Sequence, residues 1–125
     1  MSLNDLTYQI RGAIFTVFKE LGPGLLESVY EAALMFELHK MGLKVRSQVG
    51  LPVVYKGVKL ELGYRIDVLV ENSIIVEIKS VDFLHNVHKK QLLSYLKLSD
   101  KKLGLLVNFN VSKLVDNDSL VRIIN

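Results

Sequence analysis

The sequence predicts a compact α/β protein in which helices flank a mixed β-sheet. The chain has 125 residues, of which 50% are hydrophobic and 23% are charged, a composition typical of a globular chain with one well-packed core. Along the chain, apolar residues first recur at helical spacing, then form short strand-like runs, and then return to helical spacing. The predicted order of elements is α-α-β-β-β-β-α-β, with a candidate last strand, which implies a two-layer or three-layer arrangement.

Two helices are predicted at the start of the chain. Residues 6–21 carry apolar side chains at spacings of three and four, and Asn4 or Asp5 is a candidate N-cap. A Gly-Pro-Gly sequence ends this helix, and a second helix is predicted over residues 25–41, closed by Gly42.

The rest of the chain is predicted to contain the sheet and a third helix. A tight Lys56-Gly57 turn and a short Glu71-Asn72-Ser73 connection separate neighbouring apolar runs. The third helix is predicted over residues 86–98. The predicted strands cover residues 43–49, 51–55, 58–70, 74–79, 103–108 and 120–124, the last as an edge strand.

Composition excludes several classes of protein. No apolar run approaches the roughly 20 residues that span a bilayer, so no membrane association is expected. The first residues lack the pattern of a secretory signal, and the chain has no cysteine. A cytoplasmic protein without disulfides or thiolate metal sites is therefore expected. Nothing resembles a linker, so residues 1–125 are expected to form a single domain.

The net charge of +3 is unevenly distributed. Residues 1–43 carry three basic and five acidic side chains, whereas residues 84–125 carry seven basic and three acidic ones. Such a basic cluster is consistent with a phosphate-backbone contact, but taken alone it favours a solvated helix face, which produces the same count of charges. Its central members are Lys89, Lys90, Lys97, Lys101 and Lys102.

The most informative feature is a pair of charges inside an apolar run. Glu77 and Lys79 lie in the segment 74–80, which reads Ile-Ile-Val-Glu-Ile-Lys-Ser and predicts a strand buried on both faces. Two residues apart on a strand, they point to the same side. Asp67 lies on the neighbouring predicted strand. Two carboxylates and an ammonium that converge there would suit a divalent cation and a phosphate. Alternatively, Asp67 marks a strand end and Glu77 forms a structural ion pair with Lys79 or Arg65.

Three motifs carry a resemblance to a known family. They are Gly24-x-x-Glu27-x-x-Tyr30, Asp67 with Glu77-x-Lys79, and Gln91-x-x-x-Tyr95. Together they resemble the GxxExxY proteins, which are placed near the RecB-like branch of the PD-(D/E)xK nuclease superfamily. The resemblance covers nearly the whole chain. It implies a restriction-endonuclease-like core: a mixed sheet of four or five strands flanked by helices.

The resemblance also implies a metal site. Asp67 and Glu77 would be the ligands, with the backbone carbonyl of Ile78 and, from the second helix, Glu27. Oxygen ligands of this kind suit Mg²⁺, with Mn²⁺ as a substitute. The alternative for Glu27 is an acidic residue in a first helical turn, favoured by the helix dipole. Ile66 stands where the superfamily name has proline, a departure without mechanistic consequence.

Three further residues are implied to act at this site. Lys79 would orient the attacking water or neutralise charge in the transition state. In the RecB-like pattern, Gln91 and Tyr95 share one helix face and shape the site, whereas a purely structural Tyr95 would pack its ring against the sheet. His85 and His88 are three residues apart without a carboxylate motif, and zinc binding is not expected there.

The expected function is Mg²⁺-dependent hydrolysis of phosphodiester bonds in nucleic acid, most simply DNA. A second hypothesis is a nucleic-acid-binding or accessory protein that keeps the fold but has little or no activity. A third, a purely structural module, leaves Glu77 in its apolar run without a reason. A chain this small and mildly basic would need a partner or a homodimer to hold a duplex. Neither a phosphate-binding glycine loop nor a nucleophile elbow is present.

Overall fold

A mixed five-stranded sheet with three helices forms the molecule in the computed structural model, which describes residues 1–125 apart from the side chains of Glu61 and Leu62. The strands lie side by side in chain order; the third and fourth are parallel and all other neighbours are antiparallel. The helices and strands are α1 (Leu3–Leu21), α2 (Glu27–Lys40), β1 (Val45–Tyr55), β2 (Val58–Val70), β3 (Ile74–Lys79), α3 (Asn86–Ser99), β4 (Leu103–Asn108) and β5 (Leu120–Ile124).

Several boundaries differ from the sequence prediction, most by one to three residues. Ser2, not Asn4 or Asp5, caps α1, because its side chain accepts a hydrogen bond from the backbone nitrogen of Asp5 at 3.1 Å. The two short strands predicted around Gly50 form one strand, β1, because Gly50 continues the antiparallel ladder opposite Arg65.

The second helix begins at Glu27, two residues later than predicted. Gly24 has a φ of +96°, and Leu26 is the N-cap residue with extended backbone. Leu25 and Leu26 therefore belong to the preceding loop, and their apolar side chains do not extend the helix.

The helices cover the sheet on both sides and produce a three-layer arrangement. On one side α1 and α2 pack on sheet residues such as Val68, Val76 and Val107. On the other side α3 packs through Leu92 and Leu96. Since β3 and β4 lie between these layers, both strands are almost wholly buried, as the apolar runs in the sequence predicted.

A short turn joins the antiparallel strands β1 and β2. Lys56 and Gly57 both have positive φ, at 49° and 77°, which is the backbone of a two-residue hairpin turn matched to the strand twist. The predicted tight turn between β1 and β2 is confirmed.

Within the described part of the chain, no helix is both long enough and apolar enough to cross a bilayer.

Candidate metal centre

The two acidic strand residues meet where the pairing of β2 and β3 ends. The last paired residues are Val68 and Val76. Next to them, the Oδ2 atom of Asp67 accepts a hydrogen bond from the Ile78 nitrogen at 2.8 Å, and the Oε1 atom of Glu77 accepts one from the Asp67 nitrogen at 3.1 Å. Side-chain carboxylates thus take over the hydrogen bonds that a continued strand ladder would supply.

Glu77 is nearly inaccessible, with an exposed fraction of 3%. Burial, together with the negative charge of Asp67, raises the pKa of Glu77 to about 9, against an ordinary value of 4.5; the charge of Lys79 opposes this rise but does not cancel it. Among the described side chains, neither Lys79 nor Arg65 lies within 4.0 Å of the Glu77 carboxylate. The structural ion pair considered for Glu77 is therefore absent from the described part of the chain.

A cleft of about 510 Å³ opens next to Asp67. Its wall combines the first turns of α2 with the edge of the sheet. The residues that line it are Glu27, Ser28, Glu31, Gln48, Asp67 and Ile78. Three of the four predicted metal ligands therefore share one cleft. The fourth, Glu77, does not line the cleft, but its carboxylate accepts a hydrogen bond from the backbone nitrogen of Asp67.

Two residues of this cleft were not identified from the sequence as part of the site. The Nε2 atom of Gln48 donates to Oε1 of Glu31 at 2.7 Å and approaches Oδ1 of Asp67 at 3.5 Å. Burial raises the pKa of Glu31, the hydrogen bond from Gln48 opposes that rise, and the charge of Asp67 adds to it. The four-residue spacing from Glu27 to Glu31 could have indicated Glu31. No sequence pattern indicated Gln48 as a site residue, because its position opposite Asp67 depends on strand register.

Gln48 also has an unusual backbone conformation for a strand residue. Its φ is +51°, in the left-handed region that non-glycine side chains disfavour. The carbonyl oxygen of the same residue accepts a hydrogen bond from Nη1 of Arg65 at 3.2 Å. Backbone strain of this kind is held in place by surrounding contacts and is concentrated at functional sites.

Glu27 links the start of α2 to the loop that follows β3. Its Oε2 atom accepts a hydrogen bond from the Ser80 nitrogen at 3.1 Å, and the Ser80 hydroxyl donates to the carbonyl oxygen of Leu25 at 2.7 Å. Ser80 directly follows Lys79. The contact therefore holds Glu27 close to the lysine end of β3.

The tyrosine of the Gly-x-x-Glu-x-x-Tyr motif is structural. Tyr30 is fully buried, and its ring stacks on Phe109 with centroids 4.4 Å apart. Its hydroxyl donates to the carbonyl oxygen of Gly22 at 2.6 Å and accepts a hydrogen bond from the Leu25 nitrogen at 3.1 Å. Tyr30 therefore fixes the loop before α2 and, through it, the position of Glu27.

Lys79 and Tyr95 lie on the side of the sheet to which Glu77 points. Lys79 is half-buried at the end of β3. Tyr95 is buried on α3, and its pKa is raised by burial and then by the negative charges of Glu77 and Asp67. Gln91 is half-buried one helical turn before Tyr95. The structure therefore brings Tyr95 near the carboxylates.

The two histidines at the start of α3 form a helix cap. Nδ1 of His88 accepts a hydrogen bond from the His85 nitrogen at 3.0 Å. Burial and the positive charge of Lys79 lower the pKa of His88. No cluster of three or more histidine, aspartate and glutamate side chains in the described part of the chain could by itself hold a metal ion. The prediction that this pair binds no zinc is consistent with its capping role.

Asn108 supports the loop behind Lys79. It is buried at the end of β4, opposite Lys79 in the parallel ladder. Its Oδ1 atom accepts a hydrogen bond from the Val81 nitrogen at 3.0 Å, and its Nδ2 atom donates to the Val81 carbonyl oxygen at 2.8 Å. A buried amide with both groups satisfied fixes the turn that follows the lysine.

The residues present fit a divalent cation with few protein ligands. Mg²⁺ is commonly held by one or two carboxylates together with waters and substrate phosphate, so a complete protein cage is not required. Asp67 and Glu77 each use one oxygen for a backbone hydrogen bond. Glu77 is a buried carboxylate next to a second one, with no cation within 4.0 Å among the described side chains. A bound cation would supply the missing positive charge.

The fold and this site together define a class of α/β proteins with an acidic centre at the junction of two strands. The sequence of residues 4–122 matches the family model PDDEXK_3, described as PD-(D/E)XK nuclease superfamily. The chain belongs to the PD-(D/E)XK nuclease superfamily, and its fold is restriction-endonuclease-like, with five strands where the family resemblance implied four or five. Nucleases of this superfamily act on nucleic acid and generally use divalent metal ions. Neither the curated proteins nor the solved structures contain a match to this chain.

Proposed function

We propose that this protein is a nuclease that hydrolyses phosphodiester bonds of DNA with the help of Mg²⁺ or Mn²⁺. The observation that carries the proposal is the contact of Asp67 with Glu77 and Ile78 beside an open acidic cleft, in a member of a nuclease superfamily. The motif Gly24-x-x-Glu27-x-x-Tyr30 supports assignment to the GxxExxY family near the RecB-like branch.

In this proposal, Asp67, Glu77 and the Ile78 carbonyl hold the cation, and Glu27 approaches it from α2. When bound, the cation would neutralise charge on the phosphate and make a water molecule acidic enough to attack it. Glu31 lies in the same cleft, where its carboxylate could accept a proton from that water after Gln48 releases it.

Residues on the other side of Asp67 act on the substrate. Lys79 places an ammonium group where negative charge develops on the phosphate. The hydroxyl of the buried Tyr95 is close enough to both carboxylates for their charges to raise its pKa, and it is suited to donate a hydrogen bond to a phosphate oxygen or to water. Gln91, one turn earlier on α3, is assigned to contact with the substrate strand.

A second candidate is an accessory protein that binds nucleic acid without cutting it. The observation that favours it is the burial of Glu77, whose raised pKa keeps the carboxyl protonated near neutral pH and weakens cation binding. The two candidates differ in one property. The nuclease cleaves nucleic acid when a metal ion is present, whereas the accessory protein binds nucleic acid and leaves it intact.

The test is a cleavage assay with labelled single-stranded and double-stranded DNA in the presence of Mg²⁺, Mn²⁺ or EDTA. We expect cleavage only with a metal ion, and a loss of at least about 100-fold in Asp67→Asn and Lys79→Ala. Lys102→Ala is the matched control, since this exposed lysine precedes β4 at the end of the sheet opposite Lys79. Binding without cleavage under every metal condition would favour the accessory protein, and cleavage retained in both site variants would overturn the assignment of the site.

A further inference from the structure

The hairpin of β1 and β2 extends beyond the rest of the sheet. Only the segment from Val68 to Val70 of β2 pairs with β3, so residues 52–65 form a two-stranded projection, here called the hairpin arm. Every described side chain of the arm is exposed except the half-buried Val53. A two-stranded ribbon has little core of its own, and an exposed apolar surface on it indicates a binding role.

The exposed surface of the arm is both aromatic and basic. Tyr55 is 60% exposed and Tyr64 is 47% exposed, so both rings are open to a partner. The arm carries Lys56, Lys59 and Arg65 against a single acidic residue in its sequence. The ammonium group of Lys56 lies 5.5 Å from the centre of the Tyr55 ring. Aromatic rings interleaved with cations are typical of surfaces that bind nucleic-acid strands.

The base of the arm adjoins the candidate metal centre. The ring of Tyr64 lies 5.3 Å from the ring of Tyr95, centre to centre. Arg65 donates a hydrogen bond to the carbonyl oxygen of Gln48, which reaches Asp67 with its side chain. A groove of about 470 Å³ at this point is lined in part by Pro52, Lys59, Leu60, Gly63, Tyr64 and Arg65. A strand bound along the arm would therefore enter directly at the carboxylates.

We propose that the hairpin arm binds a single strand of nucleic acid through base stacking on Tyr55 and Tyr64 and phosphate contacts of Lys56, Lys59 and Arg65. This inference rests on the proposed function, because it names the form of the substrate. A single strand offers the unstacked bases that exposed rings require, whereas a duplex keeps its base faces covered.

The charge and sequence of the arm favour this occupant over a second copy of the chain. β1 is an edge strand, and Pro52 lacks the N–H that strand addition would use. The arm is also positively charged overall, so two copies would repel each other, whereas a phosphate backbone would be attracted.

The test measures binding of the full chain to a fluorescein-labelled single strand of about 20 nucleotides, in EDTA to prevent cleavage. The double variant Lys56→Gln/Lys59→Gln is expected to bind about tenfold more weakly at about 50 mM salt, with a salt slope smaller by about 1.4. The double variant Tyr55→Leu/Tyr64→Leu is expected to lose at least about tenfold in affinity.

The controls change the same residue types outside the arm. Lys19→Gln/Lys40→Gln removes two exposed cations, one on α1 and one on α2, and Tyr8→Leu removes a ring on α1 that is 78% exposed. Both should bind within about twofold of the unaltered protein. Circular dichroism melting of each variant confirms that it is folded.

Three results would overturn the inference: arm variants that bind like the unaltered protein, an equal loss in the controls, or a duplex bound more tightly than the single strand. Arm variants that convert a dimer to a monomer with DNA binding unchanged would assign the arm to self-association instead.

With Mg²⁺, Lys56→Gln/Lys59→Gln should raise KM and leave kcat unchanged. If binding depends on the arm but no hydrolysis occurs, the proposed binding role of the arm is supported and the proposed nuclease activity is contradicted. If hydrolysis occurs but binding does not depend on the arm, the nuclease activity is supported and the binding role of the arm is contradicted.

Discussion

Glu77 is a carboxyl group in the core of the sheet, where ionisation opposes stability. A carboxylate that is 3% exposed beside Asp67 is costly to ionise, and the raised pKa of about 9 expresses that cost. A leucine at this position would suit the apolar strand better. In the proposed metal centre, a bound cation would offset this cost.

This cost predicts a pH dependence of stability. The pKa of Glu77 is 4.5 when unperturbed and about 9 in the fold, so between these values the folded state holds the additional proton. Raising the pH through this interval therefore lowers the free energy of unfolding, by at most about 1.4 kcal/mol per pH unit from this group. The glutamine of Glu77→Gln cannot ionise, so this variant should not lose stability in the same way. In urea unfolding without metal, the free energy of unfolding of the variant relative to that of the unaltered protein should increase steadily with pH. A stability difference that stays constant across this interval would contradict the protonation state assigned here.

The backbone of Gln48 predicts a second effect. Its φ of +51° is strained for alanine as well as glutamine, but not for glycine. Gln48→Ala and Gln48→Gly both remove the amide that contacts Glu31 and Asp67, so any difference between them reports the backbone alone. We expect the glycine variant to be more stable by about 1 kcal/mol in chemical denaturation. An alanine variant of equal or greater stability would show that this conformation carries no strain.

At the scale of elements, the site depends on three junctions. The end of the pairing between β2 and β3 exposes Asp67, the loop before α2 places Glu27, and the loop after β3 positions Lys79. Each of the two loops is held by a buried polar side chain. Tyr30 holds the first loop and Asn108 holds the second.

Tyr30→Phe tests the junction before α2. The substitution keeps the stacking on Phe109 but leaves the Gly22 carbonyl and the Leu25 nitrogen without their partner. The loss should be about 1–3 kcal/mol in urea unfolding. Tyr8→Phe is the matched control, because this ring is 78% exposed, and its effect should stay within about 0.5 kcal/mol. Equal stability of the two variants would mean that the Tyr30 hydroxyl does not hold the loop.

The elements also show what the sequence could predict. The apolar runs of β3 and β4 and the turn at Lys56-Gly57 have strong local signals, and the structure agrees with them. The continuity of β1 through Gly50 was missed because a glycine in a strand resembles a break when the partner strand is unknown. The cap at Ser2 was missed because Asn4 and Asp5 compete with it as capping residues.

At the scale of the whole molecule, the site is assembled from segments distant in the chain. Asp67 and Glu77 could be identified because they lie on consecutive strands, so their proximity follows from a short connection. Gln48 could not, since its contact with Glu31 joins an edge strand to a helix across the layers of the fold. Interactions of that kind depend on register and packing, which local patterns do not encode.

The three-layer arrangement also explains the asymmetry of the surface around the site. The sheet is covered by α1 and α2 on one face and by α3 on the other, but the hairpin arm projects from it and touches α3 at its base, where Tyr64 packs against Tyr95. The carboxylates therefore lie between a packed core and a projecting basic ribbon. That position suits an enzyme whose substrate is a long, negatively charged chain.

The most direct test of this account is a calorimetric titration of the metal-free protein with Mn²⁺ at about pH 8, in two buffers of different ionisation enthalpy. We predict binding of one cation per chain with release of about one proton, since Glu77 must lose its proton to become a ligand. Asp67→Asn should abolish this binding, and Lys102→Ala should not change it. Absence of binding, or binding unchanged in Asp67→Asn, would contradict the claim that these carboxylates form a divalent metal centre.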